Sequence, residues 1–121
     1  MKWMWPHRSL IDAGVPAPGH SDADVCHHNP MRAIYSLVAR KTDTGKPIGP
    51  EQAITVKEAI RAYTTLGAYV GNEEEIKGSL EPGKLADMAV LDRDIFEVQV
   101  EEIKGIRVEM TVVGGMVRYR R

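Results

Sequence analysis

The side chains best suited to chemistry lie close together in residues 20–29, which read HSDADVCHHN. His20 and Asp22 are two residues apart, so in a β-strand they would project to the same side. Imidazole and carboxylate groups both bind divalent metals such as zinc. We therefore interpret His20 and Asp22 as candidate joint metal ligands. For His20, a structural or exposed histidine is the simpler alternative.

The remaining reactive residues of this run have plainer interpretations. His27 and His28 would line a substrate pocket or bind stray metal, but adjacent histidines point in different directions on most backbones, which favours solvated loop residues. Cys26 has no convincing base and orienting group near it in the sequence, so we interpret it as an inert thiol. A single cysteine cannot form an internal disulfide, which fits a cytoplasmic protein.

Three further clusters favour structural roles over binding. We interpret residues 73–75, three consecutive glutamates, as a solvated acidic turn. The arginines near the end of the chain alternate with Tyr119; they are Arg118, Arg120 and Arg121. This pattern predicts an exposed strand face and not a binding site for an anion or a nucleic acid. A glycine-rich stretch resembles a phosphate cradle only superficially; its residues are Gly78, Gly83 and Lys84. The sequence has no Walker loop, no GxGxxG, no paired CxxC and no HExxH.

Length and charge narrow the class of protein. The chain has 121 residues and a formal net charge of -1, which allows one domain and argues against a nucleic-acid-binding protein with a concentrated basic face. No apolar run approaches the ~18 residues that span a bilayer, and no signal peptide opens the sequence. We expect no nucleic-acid partner and no membrane association.

Local signals predict helices in the first two thirds of the chain. A helical stretch within residues 3–13 ends at Gly14. Asn29-Pro30 starts a second helix, with an N-cap followed by proline. Thr55 and Glu58 form the capping box of a third, which frays near Gly67 or Gly71. The two later helices each carry an apolar stripe at helical spacing.

The residue pattern near the end of the chain predicts β-strands. Residues 86–91 (ADMAVL) predict a short buried strand. Residues 106–113 and 116–121 flank Gly114-Gly115, which is a two-residue hairpin signal. The fold class is therefore mixed α/β, with helices first and strands last.

Three stretches together resemble a known family. They are residues 5–15 (WPHRSLIDAGV) leading into Ser21-Asp22-Ala23, residues 51–63 with Tyr63-Thr64, and residues 77–92 (KGSLEPGKLADMAVLD). This combination resembles the C-terminal portion of the metal-dependent amidohydrolases, closest to the subgroup that acts on N-substituted or amide-like small molecules. The resemblance runs from about residue 5 to residue 117.

The resemblance implies a particular architecture. Complete members have a metal-centred TIM barrel and a small β-sandwich assembled from both chain ends. A barrel needs ~250 residues, so this chain would hold only the last βα unit of the barrel and the C-terminal strands of the sandwich. We expect residues 1–72 to be the barrel segment, with barrel strand 8 and its flanking helices, and residues 73–121 to be the sandwich segment.

The resemblance carries one catalytic position into this chain, Asp22, the aspartate at the end of the last barrel strand. In the family a divalent metal, zinc in our expectation, lowers the pKa of a bound water, and this aspartate shuttles the proton from the water to the departing amine. The family usually has a small residue at His20 and often proline at Asp24. The family's other metal ligands have no counterpart here, so we expect no tightly bound metal in the chain alone.

Two functions follow as hypotheses. The first is the C-terminal part of a metal-dependent amidohydrolase that hydrolyses a non-peptide C–N bond of a small amide-like molecule, with the chain alone inactive. The second is a non-catalytic binding or assembly module that self-associates, because a cut barrel leaves unpaired strand edges and apolar faces. Under either hypothesis we expect a homo-oligomer.

Overall fold

The computed structural model describes residues 4–121 and has a mixed α/β fold, as predicted. Helices come first and three strands come last. The helices are α1 (His7–Asp12), α2 (Pro30–Ala39), α3 (Val56–Tyr63) and α4 (Thr65–Val70), with 3-10 helices at Pro50–Gln52 and Val100–Gly105. The strands are β1 (Met88–Leu91), β2 (Val108–Val113) and β3 (Met116–Arg120). Residue 3, where the first predicted helical stretch began, lies outside the described residues.

The predicted helix ends are confirmed where the signal is local. α1 ends at Asp12, just before Gly14, whose φ of 72° allows the amide of Val15 to donate to the carbonyl of Leu10 at 2.9 Å. Asn29 caps α2, its side chain accepting a hydrogen bond from the amide of Met31 at 2.9 Å. These bonds satisfy backbone groups that a helix end leaves unpaired, so each helix begins and ends at a defined residue.

The third helix keeps its predicted start and differs at its end. Thr55 and Glu58 form the reciprocal capping box. The helix then breaks at Thr64, whose φ and ψ are -122° and -92°, and α4 follows as a separate helix up to Gly71. The Thr64 hydroxyl donates to the carbonyl of Ile60 at 2.9 Å. This competition for a backbone carbonyl accompanies the break that the apolar spacing did not predict.

The hydrophobic core lies between the helices and the second 3-10 helix. Ile34 on α2 and Ile103 in the 3-10 helix Val100–Gly105 are 1% and 0% exposed. The buried cluster comprises Met31, Ile34, Tyr35, Leu37, Ile54, Ala59, Ile95, Ile103 and Ile106. The sheet strands add only the half-buried Leu91 to this cluster. The core therefore belongs to the helical region and to the loop before β2.

The three strands form one antiparallel sheet in the order β1-β2-β3. β2 and β3 are joined at Gly114-Gly115, with φ values of 58° and 76°, as the hairpin signal predicted. The prediction of a buried strand at residues 86–91 is wrong in its burial: β1 forms, but Met88, Ala89 and Val90 are exposed. Burial of a strand depends on a second layer packed over it, which a sequence pattern alone does not supply.

The segment that leads to Asp22 is not a strand. Residues 15–21 have no strand assignment, although the resemblance placed Asp22 at the end of the last barrel strand. A strand needs neighbouring strands for its backbone hydrogen bonds, and the three strands of the described chain pair with one another. The expectation that His20 and Asp22 project from a strand is therefore corrected.

Candidate functional site

Asp22 lies in an exposed turn after the irregular segment. Its φ of 51° is left-handed, and its carbonyl accepts a hydrogen bond from the amide of Val25 at 2.7 Å. Asp22 tolerates this region better than most residues do. Within residues 4–121 its carboxylate has no hydrogen-bond or ion-pair partner. The carboxylate is thus presented to the surface.

His20 precedes this turn and is also exposed. Its carbonyl accepts a hydrogen bond from the Tyr63 hydroxyl at 3.2 Å. One residue earlier, the amide of Gly19 donates to the carbonyl of Ala62 at 3.1 Å. The backbone just before Asp22 is therefore attached to the end of α3.

The donors present do not fit a closed metal site. In the described part of the chain, no group of three or more His, Cys, Asp or Glu side chains is placed to hold a metal ion. Structural and catalytic zinc sites need three or four protein ligands. His20 and Asp22 alone fall short of that number, and His27 and His28 do not complete it.

His27 and His28 are exposed as predicted, but the arrangement of their rings differs from the prediction. Their rings do not diverge. They stack with centroids 4.8 Å apart and planes inclined by 21°. His27 Nδ1 accepts a hydrogen bond from the amide of Asn29 at 3.0 Å. This bond turns the His27 ring back toward the start of α2, and the pair becomes part of the helix entry.

His7 is a titratable residue near the site that sequence reasoning did not select. It is half-buried at the start of α1, and burial lowers its pKa, with smaller contributions from the positive charges of Arg40 and His20. A hydrogen bond between the His7 ring and the carbonyl of Trp5, at 3.5 Å, acts in the opposite direction. The chain reversal at Gly14 brings His7 beside the segment that carries His20; no spacing in the sequence signals this approach.

Arg40 is the second such residue. It ends α2 in the left-handed region, is 4% exposed, and donates to the carbonyls of Gly49 at 3.1 Å and Met4 at 2.7 Å. Burial lowers the pKa of its guanidinium, and the nearby Glu51 raises it. Buried cations are normally paired or hydrogen-bonded. Arg40 therefore holds the start of the described chain against the end of α2.

The remaining candidates have the following positions. Cys26 is exposed and not in a disulfide. The 73–75 turn is less solvated than predicted: Glu73 forms an ion pair with Lys77 at 2.6 Å, and Glu74 is half-buried. Gly78 packs on α4, where an added Cβ would lie 2.7 Å from that of Ala68. These contacts indicate that the 73–75 turn and Gly78 have a packing role.

The arginines at the end of the chain lie on or beside an edge strand. All residues of β3 are exposed, as the strand-face interpretation predicted. An open cavity of about 470 Å³ lies between β3 and the start of α2. Its two arginines are already paired, Arg107 with Asp92 and Arg121 with Glu109, both at 3.1 Å. The cavity therefore offers no concentrated positive charge.

None of the helices described between residues 4 and 121 combines the length and the apolar character needed to cross a membrane.

Comparison with known proteins gives a consistent assignment. The sequence model of the amidohydrolase family matches residues 1–119. The chain is 37% identical over 118 residues to the N-substituted formamide deformylase of Arthrobacter pascens, covering 98% of this chain and 22% of that protein. It is 39% identical over 111 residues to the imidazolonepropionase of Bacteroides fragilis, covering 90% of this chain and 24% of that protein.

The fold comparison agrees with the sequence comparison. An amidohydrolase from Thermotoga maritima MSB8 superposes with a TM-score of 0.72 at 19% identity, covering 97% of this chain and 26% of that one. At this identity the likeness concerns the fold alone. The chain spans less than a quarter of the length of the two relatives above. With the match extending over almost every residue, the chain belongs to the amidohydrolase family.

Proposed function

We propose that this chain is the C-terminal part of a metal-dependent amidohydrolase that hydrolyses a non-peptide C–N bond of a small amide-like molecule. The observation that carries the proposal is the similarity along almost the whole chain to an N-substituted formamide deformylase. The chain covers 22% of that protein, so most of a complete active site would come from other residues. A single cysteine supports a cytoplasmic protein.

In this proposal Asp22 is the catalytic residue. Its carboxylate takes a proton from the attacking water and gives it to the departing nitrogen, acting first as a base and then as an acid. Its exposure and lack of a partner in the described residues support this role, because a paired carboxylate would have to break its contacts first. His20 is the second residue that we propose for the metal site. The further ligands would lie outside residues 4–121.

We propose the same division of the chain as the resemblance implies. Residues 1–72, of which the first three lie outside the described part, form the end of the barrel, and residues 73–121 form the sandwich segment. The order of the elements supports this division, since all four described α-helices lie before residue 72 and all three described strands after it. The chain alone is inactive in this account, because Asp22 has no activated water to deprotonate.

The test places the chain in a complete enzyme. We would replace the matching 118-residue segment of the Arthrobacter pascens deformylase with this chain and measure hydrolysis of an N-substituted formamide. We expect activity in the chimera and none above background in the isolated chain supplied with zinc. Asp22→Asn should lower kcat by about 10²–10⁴-fold, which is the usual contribution of a positioned acid–base residue.

Asp24→Asn is the matched control, because Asp24 is an exposed aspartate in the same turn. We expect it to change kcat by no more than about twofold, because surface substitutions usually change free energies by less than about 0.5 kcal/mol. Circular dichroism of each chimera reports whether the protein is folded. Equal losses in both variants, or turnover by the isolated chain that Asp22→Asn abolishes, would contradict the proposal.

A second candidate function is self-association through the sheet. Its support is the exposure of apolar side chains on β1 and β3, from 36% for Met88 to 55% for Met116. In a complete amidohydrolase such side chains would meet strands from the rest of the protein. In the isolated chain a second copy can cover them. Light scattering at micromolar concentration should therefore report a dimer or a larger species, and a 13.4 kDa particle would contradict this candidate.

A further inference from the structure

The approach to Asp22 is held by α3 in place of strand neighbours. Residues 15–21 have no strand assignment, yet two hydrogen bonds fix their end. The amide of Gly19 donates to the carbonyl of Ala62 at 3.1 Å, and the hydroxyl of Tyr63 donates to the carbonyl of His20 at 3.2 Å. Both partners lie in the last turn of α3. The segment is thus attached at two successive residues, the second only two positions before Asp22.

The ring of Tyr63 adds a close packing contact. A Cβ built on Gly19 would lie 2.7 Å from Cζ and 2.8 Å from Cδ2 of the ring. Real Cβ atoms essentially never approach other atoms this closely, so only glycine allows the ring to cover the backbone here. Gly19 is not among the glycines with positive φ. Its requirement is therefore the space for Tyr63 and not an unusual backbone angle.

The chemistry of Tyr63 suits a lasting hydrogen-bond donor. Tyr63 is half-buried, and burial raises the pKa of its phenol, so the hydroxyl keeps its proton at neutral pH. Asp22 itself has a left-handed φ of 51°, a region that is uncommon for residues with a Cβ even though aspartate tolerates it, and local contacts help to hold a residue there. The contacts at Gly19 and His20 supply such a restraint directly before it.

We propose that Tyr63 is a positioning residue that, through Gly19 and the carbonyl of His20, fixes the direction in which Asp22 presents its carboxylate. This inference rests on the proposed function only in giving Asp22 a catalytic role; the restraint itself is a property of the chain. Tyr63 contacts no substrate in this account. It acts on the reaction by limiting the orientations of the turn that begins at Asp22.

The first test measures backbone order in the intact chain by ¹⁵N NMR relaxation. Tyr63→Phe removes the hydroxyl and keeps the ring. We expect the order parameters of the Ser21 and Asp22 amides to fall from a rigid value near ~0.85 to below ~0.6, with the unfolding midpoint nearly unchanged. Gly19→Ala, which displaces the ring, should loosen the same two amides.

Tyr69→Phe is the matched control, since Tyr69 lies on α4 and is 50% exposed. It should change neither the order of residues 21 and 22 nor the unfolding midpoint. A merely structural role for Tyr63 would lower the midpoint and leave the local order intact. That result, or equal loosening by Tyr63→Phe and Tyr69→Phe, would overturn the proposal.

The second test uses the deformylase chimera and separates the two proposals. Tyr63→Phe should lower kcat about tenfold and leave KM unchanged, because it misorients a proton carrier and removes no substrate contact. Unchanged kcat in Tyr63→Phe, in a chimera where Asp22→Asn is inactive, would overturn the positioning role. Unchanged kcat in Asp22→Asn would instead refute the proposed function, while the NMR result would still decide whether Tyr63 restrains the turn.

Discussion

The helical region and the sheet bury their apolar side chains to very different extents. In the helical region Ile34 and Ala59 are at most 1% exposed, whereas on the sheet Val90 and Val117 are 41% and 53% exposed. Both regions have similar apolar residue types. What differs is the presence of a second layer: α2 packs against α3 and the 3-10 helix Val100–Gly105, while the sheet adds only Leu91 to the core.

A hydrophobic pattern in the sequence and the burial of those side chains in the fold are therefore separate properties. Apolar area yields about 25 cal/mol per Å² only when it is removed from water. The helices gain this free energy within the chain, whereas the exposed side chains of β1 and β3 do not gain it within the described residues. This agrees with a chain that spans less than a quarter of its two relatives.

The largest expected effect separates the two regions by truncation. Ile103 is fully buried, so Ile103→Ala should lower the free energy of unfolding by about 3–4 kcal/mol through lost contacts and a cavity. Val90→Ala in β1 should lower it by less than about 0.5 kcal/mol, because Val90 is exposed. Urea denaturation at one protein concentration measures both. Similar losses at the two positions would mean that the sheet has its own closed core.

Charge on the sheet should weaken self-association. Val117, Val112 and Met88 occupy opposed positions of the register and share a face. Val117→Lys places an ammonium there, and we expect the dimer affinity to fall at least tenfold, about 1.4 kcal/mol. Sedimentation velocity over a concentration series measures this affinity. Val25→Lys is the matched control, since Val25 is 80% exposed in the Asp22 turn; an equal effect there would exclude the sheet as the interface.

Loss of the α2 cap should have an intermediate effect on the helical region. Asn29→Ala removes the acceptor for the amide of Met31 and should cost about 1 kcal/mol of unfolding free energy. Asn29→Ser keeps an acceptor at the same position and should restore most of the loss. Thermal denaturation of the three proteins checks this. Equal destabilisation by alanine and serine would show that the cap contributes little.

The smallest expected effect depends on pH. Hydrogen bonds from the Thr55 amide and from Arg8 lower the pKa of Glu58, against an opposing effect of burial. A depressed pKa in the folded state stabilises the protein above the unfolded pKa of about 4.3, and this contribution is lost as the pH falls through the folded value. Glu58→Gln should therefore destabilise the chain by about 0.5–1 kcal/mol at pH 7 and by less at pH ~3.

Glu75→Gln serves as its control, because Glu75 is exposed and forms no ion pair among the described residues. Chemical denaturation at several pH values gives both curves. A constant difference between Glu58→Gln and the parent chain across the pH range would contradict the linkage.

Features decided within a few residues could be predicted from the sequence. The cap at Asn29, the box at Thr55 and Glu58, and the turn at Gly114-Gly115 depend on local hydrogen bonds and backbone angles, and all three are confirmed. The break at Thr64 was missed, because periodicity does not register a side chain that competes for a backbone carbonyl.

Features that need distant partners could not be predicted. A buried β1 and a strand leading to Asp22 both require neighbours that the described chain does not provide. The contact of Tyr63 with Gly19 and the approach of His7 to His20 arise from tertiary packing without a sequence signal. The roles of Asp22 and His20 remain predictions, because a catalytic role depends on what other residues place around them.

Hydrogen–deuterium exchange tests most directly the claim that one region is complete and the other is completed from outside. It would compare the isolated chain at low concentration with the same residues in the deformylase chimera. We expect the amides of β1 to become at least about tenfold more protected in the chimera, a gain of roughly 1.4 kcal/mol, while those of α2 around Ile34 change little. Equal protection of β1 in both proteins would contradict it.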